Sequence, residues 1–331
     1  MSRKKCHRSC GIGGQAVLEG VMMKKGDLYS VTVRKPDGEL AVDTEEFHGV
    51  MHGNKIKNVP FIRGIFNFVD SLILGTRTLT YSSQFMEEET TEETAMDKWV
   101  KKTFKDKAES VVSGFTVVLS IVLAIAIFMV LPYFISSLLN GFVRHATVLA
   151  ILEGVIRLTI FVGYVVLISA MEDIKRVYMY HGAEHKCINC IEHGRELTVK
   201  NVMASSRLHK RCGTSFMLLV MVVSIVLFMF ISVENPALRV VIRILLVPII
   251  AGISYEIIRL AGNNGNNILV KIISAPGMWL QTLTTKEPTE DMVEVAIKSV
   301  EAVFDWREYL KEEFGYYQEV AEEDDEEEIP S

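Results

Sequence analysis

The sequence predicts an α-helical integral membrane protein of about four transmembrane helices, with a small β-rich cytoplasmic unit at its N-terminus. Three observations carry this. Hydrophobic residues make up 49% of the 331 positions, and the excess is gathered in blocks of about twenty, the length that crosses a hydrocarbon core. Alternating apolar and polar residues, punctuated by Gly and Pro, precede those blocks. Basic residues crowd the loop between the second and third blocks.

The formal net charge of −6 hides an uneven distribution. Setting aside the twelve acids of Glu87–Glu93 and Glu322–Glu328 leaves a remainder of +6, which suits an anionic leaflet. The expected partners are the lipid membrane and other membrane proteins, not nucleic acid. The five cysteines are odd in number and cluster with histidines, a pattern that favours metal ligands over disulfides in a reducing cytosol. Met1-Ser2-Arg3-Lys4-Lys5-Cys6 is basic, but no apolar stretch follows as in a cleaved signal peptide.

Residues 1–85 form the first unit. Gly11, Gly13 and Gly14 make an opening turn; no Gly-Lys-Ser/Thr ending marks it as a phosphate loop. Gln15 to Met23 and Tyr29 to Arg34 have strand character, and Tyr29, Val31 and Val33 alternate with Ser30, Thr32 and Arg34. Pro36-Asp37-Gly38 is a turn, because proline presets φ and glycine accepts a positive one, and Glu39 to Thr44 is the return strand. From Pro60 to Tyr81 the spacing becomes helical. Ile62, Ile65, Phe66, Val69, Leu72, Ile73 and Leu79 fall largely on one face, which is expected to lie in the membrane interface or, as the alternative, to pack on the β unit. Residues 86–112 are an acidic linker followed by a basic helix bearing Lys98, Lys101, Lys102, Lys105 and Lys107.

Residues 113–260 hold the predicted spans: Gly114 to Leu138, His145 to Met171, Gly213 to Val233 and Ala237 to Ile258. Glu153 and Arg157 lie four apart in the second. They mark a proton or substrate path, or a self-satisfied pair packed against Arg243. The loop at 171–212 carries Lys175, Arg176, Lys186, Arg195, Lys200, Arg207, Lys210 and Arg211, whereas the other loops have only Arg144 and Arg239 nearby. The excess of positive charge places this loop and both termini in the cytoplasm. Within 261–310, Gly262 to Asn267 breaks the pattern, and Ile268 to Leu283, interrupted by Lys271, Pro276 and Trp279, reads as interfacial or re-entrant. Thr289 is placed to cap a last amphipathic helix whose face is Met292, Val295, Ala296, Ser299, Val300 and Val303. Residues 311–331 end in an acidic tail with the composition of a disordered segment.

The chemistry gathers between His181 and Cys212, which contains three of the five cysteines and four of the eight histidines. His181 and His185 are four apart, so a helix projects both imidazoles from one face. If the second span continues into the cytosol, Ile174, Tyr178, His181 and His185 make one stripe. His181-Gly182-Ala183-Glu184-His185 has the order H-x-x-E-H, the inverted form of a zinc-protease helix motif. Two completions are open. In one, Cys187 and Cys190 join His209 and Cys212 in a structural zinc knuckle. In the other, His181 and His185 hold the metal, Glu184 is the base, and His209, Cys212 or Glu256 supplies the third ligand. A mixed site of His181, His185, His209 and Cys212, with Cys190 nearby, is a variant of these. A third reading needs no metal: the histidines bind headgroups or cap helices.

Four phrases together resemble the YqhQ-like bacterial membrane family, a domain of unknown function labelled a predicted metal-dependent enzyme. They are Gly13-Gly14-Gln15-Ala16-Val17-Leu18-Glu19-Gly20-Val21-Met22-Met23, His181 to Lys186, His209 to Phe216, and Ser254-Tyr255-Glu256. The resemblance implies a bacterial inner-membrane protein with zinc or another divalent metal. It also implies signature roles for His181, Glu184, His185, His209, Cys212 and Glu256. A metal-dependent hydrolase, a non-catalytic scaffold with a structural zinc, and a transporter built on Glu153, Arg157 and Arg243 all follow as functional expectations.

Overall fold

A computed structural model describes residues 9–54, 59–86, 108–139, 142, 145–231, 233, 235–263 and 268–315. The acidic linker, the basic run from Lys98 to Lys107 and the acidic tail lie outside the described residues. Four strands open the chain: β1 (Ile12–Val17), β2 (Gly20–Lys25), β3 (Leu28–Arg34) and β4 (Leu40–Glu46). They pair in order as one antiparallel sheet with β1 at an edge. The sequence pattern ran Gln15 to Met23 together as one strand, but the chain reverses at Leu18-Glu19. That turn lacks the usual Gly or Asn, and Glu19 itself takes the positive φ of 49°. Its carboxylate is held by Arg176 and accepts from the Tyr180 hydroxyl, so a distant helix secures the reversal.

The helices are α1 (Ile62–Ser83), α2 (Ala108–Ile125) and α3 (Leu131–Ser137), joined by one π turn at Ala126–Val130, then α4 (Ala146–Ile168) and α5 (Glu172–Glu192). After these come α6 (Val199–Met203), α7 (Gly213–Phe228), α8 (Pro236–Asn263), α9 (Ile268–Thr284), α10 (Glu290–Glu301) and α11 (Trp306–Phe314). Among the described residues, three stretches are long and apolar enough to cross a membrane: Gly114–Ser137, Thr147–Ile168 and Leu238–Leu260. The third expected span is shorter than predicted. α7 has 16 residues, a rise of about 24 Å against a hydrocarbon core of about 30 Å. The second span does not run on into α5 either: the helix stops at Ile168, and Met171 is extended at ψ 134° before a new start with Glu172 and Asp173 in the first turn.

The sheet is not an independent unit. One face, with Ile12, Val21 and Met23, packs against Tyr180, Ala183, Cys187 and Ile188 of α5 and Met292, Val295 and Ala296 of α10. The whole apolar face expected of the last amphipathic helix is buried here, against protein. The Ser299 hydroxyl donates to the Val21 carbonyl at 3.0 Å and so stitches α10 to β2. The opposite face, with Val17, Met22, Tyr29, Val31 and Val33, packs on Leu74 of α1. Past the β1 edge, α5 and α1 flank an open space closed by the ends of α7 and α8. That space holds the site.

Candidate metal centre

Helix α5 carries the site because its second half is buried on every side, from Tyr180 to Glu192 apart from the half-buried His181. Gly182 is required where the chain after α9 crosses it: a Cβ there would lie 2.0 Å from the Lys286 carbonyl oxygen. That crossing strand is fixed by the Lys286 N–H donating to the Tyr178 carbonyl at 2.9 Å. One turn apart on α5, the His181 and His185 rings stand edge to face with centroids 4.4 Å apart.

Each ring is oriented by a main-chain carbonyl. His181 Nδ1 lies 2.9 Å from the Thr284 carbonyl oxygen, and His185 Nδ1 lies 2.6 Å from that of Arg207. Those bonds place the proton on Nδ1 and leave Nε2 as a lone-pair donor, the outer-shell arrangement of metal-binding histidines. His181 Nε2 faces Cys212 Sγ at 3.3 Å. Cys212 is the N-cap of α7, where its sulfur accepts from the Thr214 N–H at 3.4 Å and meets the Thr214 hydroxyl at 3.1 Å. One donor atom from each of His181, His185 and Cys212 falls within 4.8 Å of the others. Two imidazoles and a cysteine sulfur around one point fit zinc in softness and spacing.

Glu184 points into the same cavity and lies against β1. A Cβ on Gly14 would come within 2.8 Å of Glu184 Cγ and 2.7 Å of the Met22 carbonyl oxygen, so only glycine lets the strand settle over this carboxylate. Burial pushes the Glu184 carboxyl up to about 7, against the opposing pull of His181 and of the Gly14 N–H. Burial also lowers the His185 imidazole, which the Cys212 contact only partly offsets. The adjoining cavity has a volume of about 820 Å³.

The other expected ligands are placed elsewhere. His209 Nε2 lies 3.3 Å from Glu192 Oε2, while its main-chain N–H and C=O both bond the Gln281 side chain of α9 at 2.9 and 2.8 Å. It lines the cavity without joining the group formed by His181, His185 and Cys212. Glu256 is paired with Arg63 of α1 and accepts from the Phe61 N–H at 3.2 Å. Cys187 is fully buried in the core between sheet and α5, and burial drives its thiol well up. Cys190 donates to the Glu196 carbonyl at 3.3 Å, and burial raises it to about 11. The structure does not bring Cys187 and Cys190 together with His209 and Cys212 into one donor group. Glu153 accepts from Arg157 and Arg243, both 2.9 Å at their Nη2 atoms, and both guanidiniums lie over the Phe228 ring.

Three functional features escaped the sequence reading. β1 forms a wall of the site, though nothing local couples residue 14 to residue 184. Asp27, His48 and His52 make a second donor group on the exposed surface, with Asp27 Oδ2 at 3.8 and 3.9 Å from the two Nδ1 atoms. Glu192 is the hub of a buried network that takes in the Cys10 N–H, His209 and Arg211. Burial alone would raise its pKa, but the His209 bond, the Arg211 charge and the Cys10 N–H outweigh this and hold it at about 2. A signal for Glu192 was present: the stripe through Tyr178, His181 and His185 continues by helical spacing to Ile188 and Glu192.

Residues 59–306 match the family described as a protein of unknown function, DUF1385. The chain is also 35% identical over 289 residues to the uncharacterized protein YqhQ of Bacillus subtilis (strain 168), covering 87% of this chain and 90% of that one. No solved structure matches.

Proposed function

The chain belongs to the DUF1385 family, and from the donor cluster on α5 and α7 we propose that it is a membrane-bound, metal-dependent hydrolase. The observation that carries this reading is the pair of Nδ1-to-carbonyl bonds, which fix both rings beside Cys212, with His181 Nε2 3.3 Å from its sulfur and His185 in hydrogen-bond contact with the same thiol. A catalytic zinc takes three protein ligands and keeps a further position for water or substrate. His181, His185 and Cys212 would hold the ion. When bound, it supplies Lewis acidity, which polarises a carbonyl and acidifies a water.

The remaining chemistry belongs to the chain. Glu184 sits in the cavity with its carboxyl raised toward neutrality, in the range where it both takes a proton from water and returns it to a leaving group. Burial of His185 and Cys212 excludes bulk water from the donors, which strengthens every charge interaction there. The three long apolar helices, and a first span with no buried residue in its apolar window, support placement in a membrane. The scaffold reading needs Cys187 and Cys190 beside Cys212, and their positions do not favour it.

The test is elemental analysis of the full chain purified in detergent. Wild type and Glu184→Gln should both carry about one zinc per chain, while His185→Ala and Cys212→Ala should lose it. Folded wild-type protein that binds no divalent metal would overturn the proposal.

A further inference from the structure

The cavity lies where a fifth strand of the sheet would lie. Among the described residues β1 is an edge strand, paired only with β2. The two-residue turn at Leu18-Glu19 sets the register, so Val17, Gln15 and Gly13 exchange bonds with Gly20, Met22 and Lys24. By the antiparallel alternation, the main-chain groups of Ile12, Gly14 and Ala16 then face away from β2. Gly14 bears this out, because its N–H reaches the Glu184 carboxylate. Ile12, Gly14 and Ala16 all line the cavity, as do His181, Glu184 and His185. The outward N–H groups of Ile12 and Gly14 are already taken within the chain, by the Cys10 sulfur and the Glu184 carboxylate, so the row that runs alongside the donor cluster consists of the Ala16 N–H and the carbonyls of Ile12, Gly14 and Ala16.

Such an edge is complementary to one kind of chain, another extended backbone. The far walls are apolar: Phe68 and Leu72 of α1, Phe216 and Met217 of α7, and Ile258 of α8. Side chains of an added strand point alternately to the two faces, and an apolar peptide has the side chains these walls accept. We propose that the substrate is an extended, apolar polypeptide segment that adds to β1 as a fifth strand and lays its scissile amide across the His181, His185 and Cys212 cluster. This rests on the hydrolase reading. In the reaction, water adds to the amide carbonyl carbon and the C–N bond breaks. One proton passes by way of Glu184 to the departing amine, so that a carboxylic acid and an amine are formed. No oxidant or further reactant is required.

The measurement is binding, not turnover. Fluorescein-labelled hexapeptides of Leu, Val and Ser are titrated by anisotropy against full-length Glu184→Gln protein in detergent, with chelator-treated wild type as the second sample. Each peptide amide is N-methylated in turn. Strand addition predicts a period of two: alternate N-methyl groups weaken binding about tenfold and the intervening ones leave it unchanged. Ala16→Pro, which removes an outward N–H while sparing the bonds to β2, should weaken the parent peptide to a similar degree. A uniform response to N-methylation, or no peptide binding beside clear binding of a fluorescent phospholipid, would overturn the proposal. Periodic binding by a chain that holds no metal would keep β1 as a peptide site and sink the hydrolase alone.

Discussion

Gly14 shows how one missing side chain holds the site together. The residue sits between the Met22 carbonyl at 2.7 Å and the Glu184 side chain at 2.8 Å, distances a methyl group cannot share. Gly14→Ala should push β1 off α5 and cost about 1–3 kcal/mol of stability, lowering the melting temperature in detergent. An unchanged melt would mean the strand does not press on Glu184. Glu192 offers a test by pH. Its carboxyl is held at about 2, below its ordinary 4.5, so the folded state favours the charged form. The sign follows: the stabilisation is complete above the ordinary value and drains away as pH falls from 4.5 toward 2. Melting temperature should drop over that window in wild type. Glu192→Gln should be less stable at neutral pH and flatter below it, and parallel curves for the two proteins would contradict the assignment.

Among the elements, the local ones were legible and the joints were not. Tyr29 to Arg34 declared itself by strict alternation, and the last amphipathic helix by its spacing, because each buries one face and the pattern records which. The Leu18-Glu19 reversal left no such mark, since the residue that takes the positive φ is held there by Arg176, 157 positions away. His181, Glu184 and His185 were found together because one helix carries all three. Cys212 was one of several candidates, and only the fold selects it over Glu256, which α1 claims through Arg63. The α1–α8 crossing is another joint invisible in sequence. A Cβ on Gly64 would meet the Gly252 Cα at 2.9 Å and the Tyr255 Cβ at 2.7 Å, so the two helices touch backbone to backbone. Gly64→Val should separate them and lower the melting temperature, yet leave metal content near wild type, because no proposed ligand sits on α1 or α8. Loss of metal in this variant would show that the cavity wall and the donor cluster are one cooperative unit.

At the scale of the molecule, the buried charges and the direction of insertion belong to one argument. Glu153 of α4 is shared by Arg157 and by Arg243 of α8, and all three are buried. Removing the acid in Glu153→Ala leaves two desolvated guanidiniums over one Phe228 ring, a loss of about 3–5 kcal/mol that thermal aggregation in detergent should reveal as an early transition. This network joins α4 to α8, so a membrane would hold them as a pair. The basic residues then decide which way the pair points. Lys175, Arg176, Lys200 and Arg207 all lie on the α4–α7 connection, the side that carries the sheet and the donor cluster. Beside the α7–α8 connection stands Arg239, in the first turn of α8, whose guanidinium is already bound to the Val233 carbonyl. By the positive-inside rule, this excess predicts that the cluster faces the cytoplasm. Lys200→Cys and Asn235→Cys test this in whole cells with a membrane-impermeant maleimide. The second should label from outside and the first only after the cells are opened. The reverse order would put the cluster outside the cell, where its buried thiol would meet an oxidising medium and the case for a zinc-binding Cys212 would fall with the topology.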